Sequence, residues 1–194
     1  MAAIREPVGM RLPHALLPAV AALVAAVPAT AGQGPAARAA RAARAPAPAP
    51  RCRTAELAVA LVRSPGGGAA GSVYQELAFT NRGRGTCALI GHPGVSFVAG
   101  GDGHRVGAAA RRVAPPRPAR VVLARRARAI ATLRIARTAD FPPSDCRPRR
   151  VRGLRVYPPG ATAAAFVRRP GTACSSRADA QLSVTAVRAG RPPG

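Results

Sequence analysis

The apolar and polar positions of this chain alternate with the period of strands. In Val73-Tyr74-Gln75-Glu76-Leu77-Ala78-Phe79, residues Val73, Leu77 and Phe79 share one face, and an Asn/Gly-rich turn follows before Cys87. In Ala129–Ala136, Ala131, Leu133 and Ile135 alternate with Thr132 and Arg134, as a half-buried strand requires. Leu182-Ser183-Val184-Thr185-Ala186 repeats that pattern. Segments of strand character cover 57–62, 73–80, 87–90, 95–98, 120–123, 129–136, 151–157, 163–167 and 182–188, with Gly, Pro or Asn between them. No stretch forms a capped amphipathic helix, although 106–112 and 161–165 have room for a turn or two of one. The pattern predicts an all-β, immunoglobulin-like β-sandwich of seven to nine short strands, with a small β-barrel as the alternative.

Only part of the 194 residues belongs to that domain. Arg5 and Arg11 precede an apolar run from Ala15 to Val27, and Ala29-Thr30-Ala31 supplies an A-x-A site before Gly32. This is read as a cleaved secretory signal over 1–31, with Met10 as a second candidate start. An uncleaved anchor is the rival reading, but the run is broken by Pro18 and is short against the roughly 20 residues a helical span needs. A lipid attachment is disfavoured, since the first cysteine, Cys52, follows Ala49-Pro50-Arg51. Residues 32–51, rich in Ala, Pro and Arg, read as a disordered spacer, 52–189 as the globular domain and 190–194 as a tail. A secreted or cell-envelope location is expected, with no transmembrane segment after cleavage.

Charge changes the picture of partners. All thirty basic residues are arginine, against seven acids, for a net charge of +23. Within 52–189 there are 23 arginines and six acids, so +17 of this belongs to the domain itself. Arginine in place of lysine, with abundant Ala, Gly and Pro, fits a GC-rich coding sequence. The scarcity of acids does not follow from that bias, and the imbalance attracts polyanions generally. With only six aromatic residues and no Trp, the core must rest on Val, Leu and Ile, and cross-links gain importance.

Four cysteines, Cys52, Cys87, Cys146 and Cys174, behind an export signal are read as two disulfides. Three pairings are open. Cys52 with Cys87 and Cys146 with Cys174 is favoured, because each closes a short loop between consecutive strands. In the chain-entropy model each such bridge contributes about 3.5 kcal/mol. A zinc site would want C-x-x-C pairs or clustered His, and redox chemistry a C-x-x-C at a strand-helix junction; the chain has neither. No metal and no cofactor are expected.

The strand-turn-strand run around Cys87, with the other cysteines, resembles the secreted actinobacterial family termed domain of unknown function 4232. The resemblance spans nearly all of 52–189. It rests on Cys52, on Leu77, Phe79, Thr80, Asn81 and Gly83 before the first turn, and on Thr86, Cys87, Leu89, Gly91, Pro93, Gly94 and Val95 after it. Leu154, Val156, Pro158, Pro159 and Gly160 follow Cys146, and Cys174 closes the set. His92 stands where the family often has an aromatic residue, and Arg125-Arg126 replaces a Pro-Gly turn. The resemblance implies an exported, disulfide-bearing β domain and supplies no catalytic residues.

No catalytic motif is present: no G-x-S-x-G elbow, H-E-x-x-H, Walker loop or dinucleotide fingerprint. Gly66–Gly71 is glycine-rich but lacks the lysine and helix of a phosphate loop, and reads as a hairpin connection. Asp102 with His104 and His92 is the best catalytic or metal-binding grouping, since a carboxylate can orient an imidazole. Turn-rich polar loops make these ordinary solvated residues in the preferred reading. The acids Glu56, Glu76, Asp102, Asp140, Asp145 and Asp179 are too scattered for glycosidic chemistry, with Glu76 and Asp140 expected to pair with arginines. Among the arginine clusters, Arg125, Arg126, Arg128, Arg149, Arg150 and Arg152 are the candidate anion-binding group, because guanidinium forks grip phosphate and carboxylate. Nucleic acid is not expected as a partner, for want of stacking aromatics and a recognition motif. The sequence thus predicts a non-enzymatic module for anionic cell-wall polymer, lipid head groups or an exported protein. Its alternatives are a secreted hydrolase or metal-dependent enzyme using His92, Asp102 and His104, and an inert accessory domain. Oligomeric state is left open.

Overall fold

The computed structural model describes residues 47–191, except 70 and 179. Within them lie twelve strands: β1 (Leu57–Ala69), β2 (Ser72–Asn81), β3 (Cys87–Ile90), β4 (Gly94–Ala99), β5 (His104–Val106), β6 (Arg111–Val113), β7 (Arg120–Leu123), β8 (Arg128–Ala136), β9 (Pro148–Tyr157), β10 (Ala165–Cys174), β11 (Leu182–Thr185) and β12 (Arg188–Gly190). The signal, and the spacer up to residue 46, lie outside the described residues. Two 3-10 turns and a one-turn helix, Pro143–Cys146, complete the described elements.

The strands form three sheets. The largest runs β1-β2-β8-β11-β6, with β12 also on β8; the second runs β10-β9-β4-β5; the third is the pair β3-β7. Every pairing is antiparallel except β11 with β6, which is parallel and makes the first sheet mixed. Inward side chains of all three sheets join in one hydrophobic cluster, with Leu77, Phe79, Leu133, Phe97, Leu154, Leu89 and Leu123 fully enclosed. The domain is therefore all-β, as the alternating pattern predicts.

Several strands differ from the sequence expectation for identifiable reasons. β1 extends to Ala69 through Pro65 and the glycines, where composition reads as a loop. It is an edge strand, where a proline is tolerated, and a bulge between Arg63 and Gly68 absorbs the irregular stretch. No helix forms over 106–112 or 161–165; β5 and β6 flank the first, and Ala165 begins β10. The single segment expected at 182–188 is two strands. Thr185 Oγ1 accepts the Thr132 N–H at 2.9 Å, and the Val187 N–H turns to the Gly91 carbonyl, so the main-chain ladder on β8 is interrupted between β11 and β12.

Both favoured disulfides are present, Cys52–Cys87 and Cys146–Cys174. The first holds the start of the domain to β3, and the ladder reaches back into residues assigned to the spacer. The Ala88 N–H donates to the Pro50 carbonyl and the Cys52 N–H to the Ala88 carbonyl. Arg120 donates to the Ala49 carbonyl.

Asn81 ties the two turns at this end of the molecule together. Its side chain is fully buried and donates to the carbonyls of Gly85 (2.8 Å) and Leu123 (2.9 Å), while its Oδ1 accepts the Gly83 N–H. Its backbone pairs with Ala127 and Arg126. The turn Ala124–Ala127 closes with an Ala127 N–H to Ala124 carbonyl bond, with Arg126 at φ 68°. That left-handed angle is one a glycine adopts without steric cost, so the chain retains the Pro-Gly-type turn with an arginine in the glycine's place.

Candidate functional site: an arginine-lined cleft

The candidate site arises from a length mismatch between neighbouring strands. β9 pairs with β4 only over Gly153–Tyr157, whereas its first half, Pro148–Val151, pairs with β10 alone. Beyond the end of β4 the chain turns back as β5, leaving a notch between β5, the first half of β9 and the segment after β10. This cleft of about 510 Å³ is open to solvent and is lined by His104 and Arg105 from β5, Arg149 and Arg150 from β9, and Ser175 and Arg177 beyond β10. No acid lines it among the described residues.

Its walls are fixed by the second disulfide. Cys146 precedes β9 and Cys174 ends β10, so their bond sets Arg149 and Arg150 beside Ser175 and Arg177. The Ser175 N–H donates to the Cys146 carbonyl, and Ser175 Oγ to the Arg147 carbonyl at 2.8 Å. Gly107 brings in the β5 wall: at φ 69° it packs so closely that a Cβ would collide with the Cys174 carbonyl oxygen. None of Arg105, Arg149, Arg150 and Arg177 donates a side-chain hydrogen bond or joins an ion pair among the described residues.

A second cleft, of about 220 Å³, lies beside it around Arg152, Arg155, Asp102 and Phe166. Here the guanidinium groups are occupied. Arg152 donates to the Gly100 carbonyl at 2.8 Å and lies 4.8 Å over the Phe166 ring. Arg155 donates to the Gly103 carbonyl. Phe166, 49% exposed, lies across Gly153 of the neighbouring strand, where a Cβ would come within 2.6 Å of the ring. These contacts clamp the Gly100–Gly103 loop to β9.

The six candidate anion-binding arginines lie in different parts of the fold. Arg149 and Arg150 line the larger cleft, Arg152 is engaged in the smaller one, and Arg125, Arg126 and Arg128 belong to the first sheet and the turn leading into it. Arg128 is half-buried, with Nε donating to Thr80 Oγ1. Charge clustering in sequence cannot separate these cases, because strand pairing decides which clusters meet. Arg105 and Arg177 were missed by that clustering. The signal for Arg177 lay in the cysteine pairing, which carries the residue after Cys174-Ser175-Ser176 to the start of β9, whereas Arg105 is placed by the pairing of β5 with β4.

The three-residue grouping of Asp102, His104 and His92 is also divided. His104 Nδ1 donates to Asp102 Oδ1 at 2.9 Å, with the side chains 57% and 71% exposed. That hydrogen bond, above all, holds the Asp102 carboxyl below its ordinary value. His92 instead donates from Nε2 to the Val113 carbonyl at 3.2 Å, at the β3–β4 turn. No set of three or more His, Cys, Asp or Glu among the described residues could hold a metal ion. Glu76 pairs with Arg188 at 3.2 Å, as expected, whereas Asp140 has no ion pair among the described residues. Arg169, half-buried with Nε donating to Gln75, has its guanidinium value lowered by loss of solvent.

Fold and site together define a disulfide-stapled all-β domain presenting to solvent guanidinium groups that are unpaired among the described residues. The chain belongs to the family described as Domain of unknown function (DUF4232), whose model it matches over residues 52–188. No curated protein and no solved structure matches it. Among the described residues no helix is long and apolar enough to cross a membrane.

Proposed function

We propose that this is a non-enzymatic, exported binding module that attaches to anionic material of the cell envelope through the cleft of Arg105, Arg149, Arg150 and Arg177. The observation that carries the reading is that four arginines from three chain segments line one opening, with no side-chain acceptor and no lining acid among the described residues. Burying or pairing those charges inside the domain would satisfy them; leaving them at a common opening prepares them for an external anion. Export is supported by the amino-terminal signal pattern and by two disulfides, which persist in oxidising compartments. The non-enzymatic reading is favoured over a hydrolase because His92 is engaged at Val113, away from the exposed Asp102–His104 pair. We read the architecture as an immunoglobulin-like sandwich: the two larger sheets are separate ladders whose inward residues meet in one core.

The test is retention on isolated cell envelopes. The variant Arg105→Glu/Arg149→Glu/Arg150→Glu/Arg177→Glu should be released at a salt concentration that leaves the native protein bound. Equal retention of the two proteins would overturn the reading.

A further inference from the structure

We infer that the cleft between β5, β9 and the segment after β10 is a site for linked phosphate groups, such as a polyphosphate or a closely spaced phosphodiester chain; this rests on the binding-module reading above. Three observations select phosphate from among anions. The first is charge density. Four arginines share an opening of about 510 Å³, within the roughly 300–1,000 Å³ of small-molecule sites. A carboxylated glycan brings one charge with each bulky ring, so little of that positive charge would be met. Linked phosphates bring a charge with every tetrahedron. The second is the absence of a sugar platform: apart from the imidazole, no aromatic side chain among the described residues lines this cleft, and the exposed Phe166 belongs to the neighbouring one under Arg152. The third is donor chemistry. Arg105 comes from β5, Arg149 and Arg150 from β9 and Arg177 from beyond β10, and each guanidinium fork can give two parallel N–H donors to a tetrahedral oxyanion.

The anchoring of the walls adds a reason for selectivity. Arginines on independent loops would follow any polyanion, but the backbone positions that carry these are held at set spacing by the Cys146–Cys174 bond, by Ser175 bonded to Cys146 and Arg147, and by the close approach at Gly107. A fixed spacing favours one distance between negative charges over others.

The experiment is calorimetric titration of the purified protein at near-physiological salt with tripolyphosphate, inorganic phosphate and citrate. Vesicles carrying phosphatidylglycerol form a separate arm, since they present single phosphates spread over a surface. Tripolyphosphate should bind about tenfold or more tightly than citrate, as one or two additional charge-assisted bonds would give. It should also exceed inorganic phosphate and out-compete the vesicles. The variant Arg105→Gln/Arg149→Gln/Arg150→Gln/Arg177→Gln should lose that advantage. A control with the same loss of charge elsewhere, Arg84→Gln/Arg111→Gln/Arg112→Gln/Arg120→Gln, should keep it. Equal binding of citrate and tripolyphosphate, preferential capture by vesicles, or equal losses in the two variants would each overturn the inference. If citrate and tripolyphosphate bind alike while envelope retention still requires the cleft arginines, the linked-phosphate assignment fails and the binding-module reading stands. Selective tripolyphosphate binding by a protein that envelopes do not retain would have the opposite meaning.

Discussion

The two adjoining clefts of the second sheet contain the same kind of residue in opposite circumstances. Around Phe166, Arg152 and Arg155 give their donors to the Gly100 and Gly103 carbonyls and one stacks on the ring. Around His104, Arg105, Arg149, Arg150 and Arg177 have no such acceptors among the described residues. Arg150 and Arg152 are two positions apart on one strand and both exposed, yet among the described residues one has its donors free and the other fastens a loop. A count of arginines therefore says little about function; what separates them is where each donor's hydrogen bond goes.

Several substitutions would break or sharpen this contrast. The largest effect is expected from Cys146→Ser/Cys174→Ser, which removes a bridge worth about 3.5 kcal/mol in the chain-entropy model and frees the wall that carries Arg177. Denaturant unfolding should show that loss, and anion binding should fall even where the variant is still folded. Gly107→Ala is next, at about 3 kcal/mol, since it adds a left-handed alanine and a collision with the Cys174 carbonyl. Arg155→Met should cost about 1 kcal/mol of stability while leaving tripolyphosphate binding intact; Arg150→Met should do the reverse. Arg126→Gly, relieving a left-handed arginine, should raise stability by about 0.5 kcal/mol, and unchanged or lower stability would show that the turn bears no strain.

The smallest effect concerns Asp102. Its lowered carboxyl value means that any contribution of the His104 bond to stability is fully present above the ordinary carboxyl value and fades as pH falls through the lowered one. An NMR titration of the Asp102 carboxyl carbon should give a midpoint below the ordinary value, moving up in His104→Ala. An unshifted midpoint in the native protein would mean the pair is broken in solution.

Much of the fold is legible in the sequence because buried strands advertise themselves. Leu77, Phe79, Leu133 and Ile135 stand at strand spacing, and all four are buried. The short, arginine-bearing strands β5 and β6 carry no such alternation: they are held by neighbours, and Arg105, Arg111 and Arg112 are exposed. The division of 182–188 depended on one hydroxyl replacing a backbone acceptor, which no local pattern encodes. For the site, Arg149 and Arg150 were legible as a basic pair at the start of a strand. Their partners Arg105 and Arg177 come from far along the chain and become neighbours only through the disulfide and the end of β4.

The most direct measurement of the central claim is the response of individual arginine Nε–H resonances to added tripolyphosphate. Shifts confined to Arg105, Arg149, Arg150 and Arg177, with Arg152 and Arg155 unmoved, are the predicted result. Shifts spread evenly over the arginines of the surface, Arg84, Arg111, Arg112 and Arg120 among them, would contradict it and reduce the cleft to one portion of a uniformly basic domain.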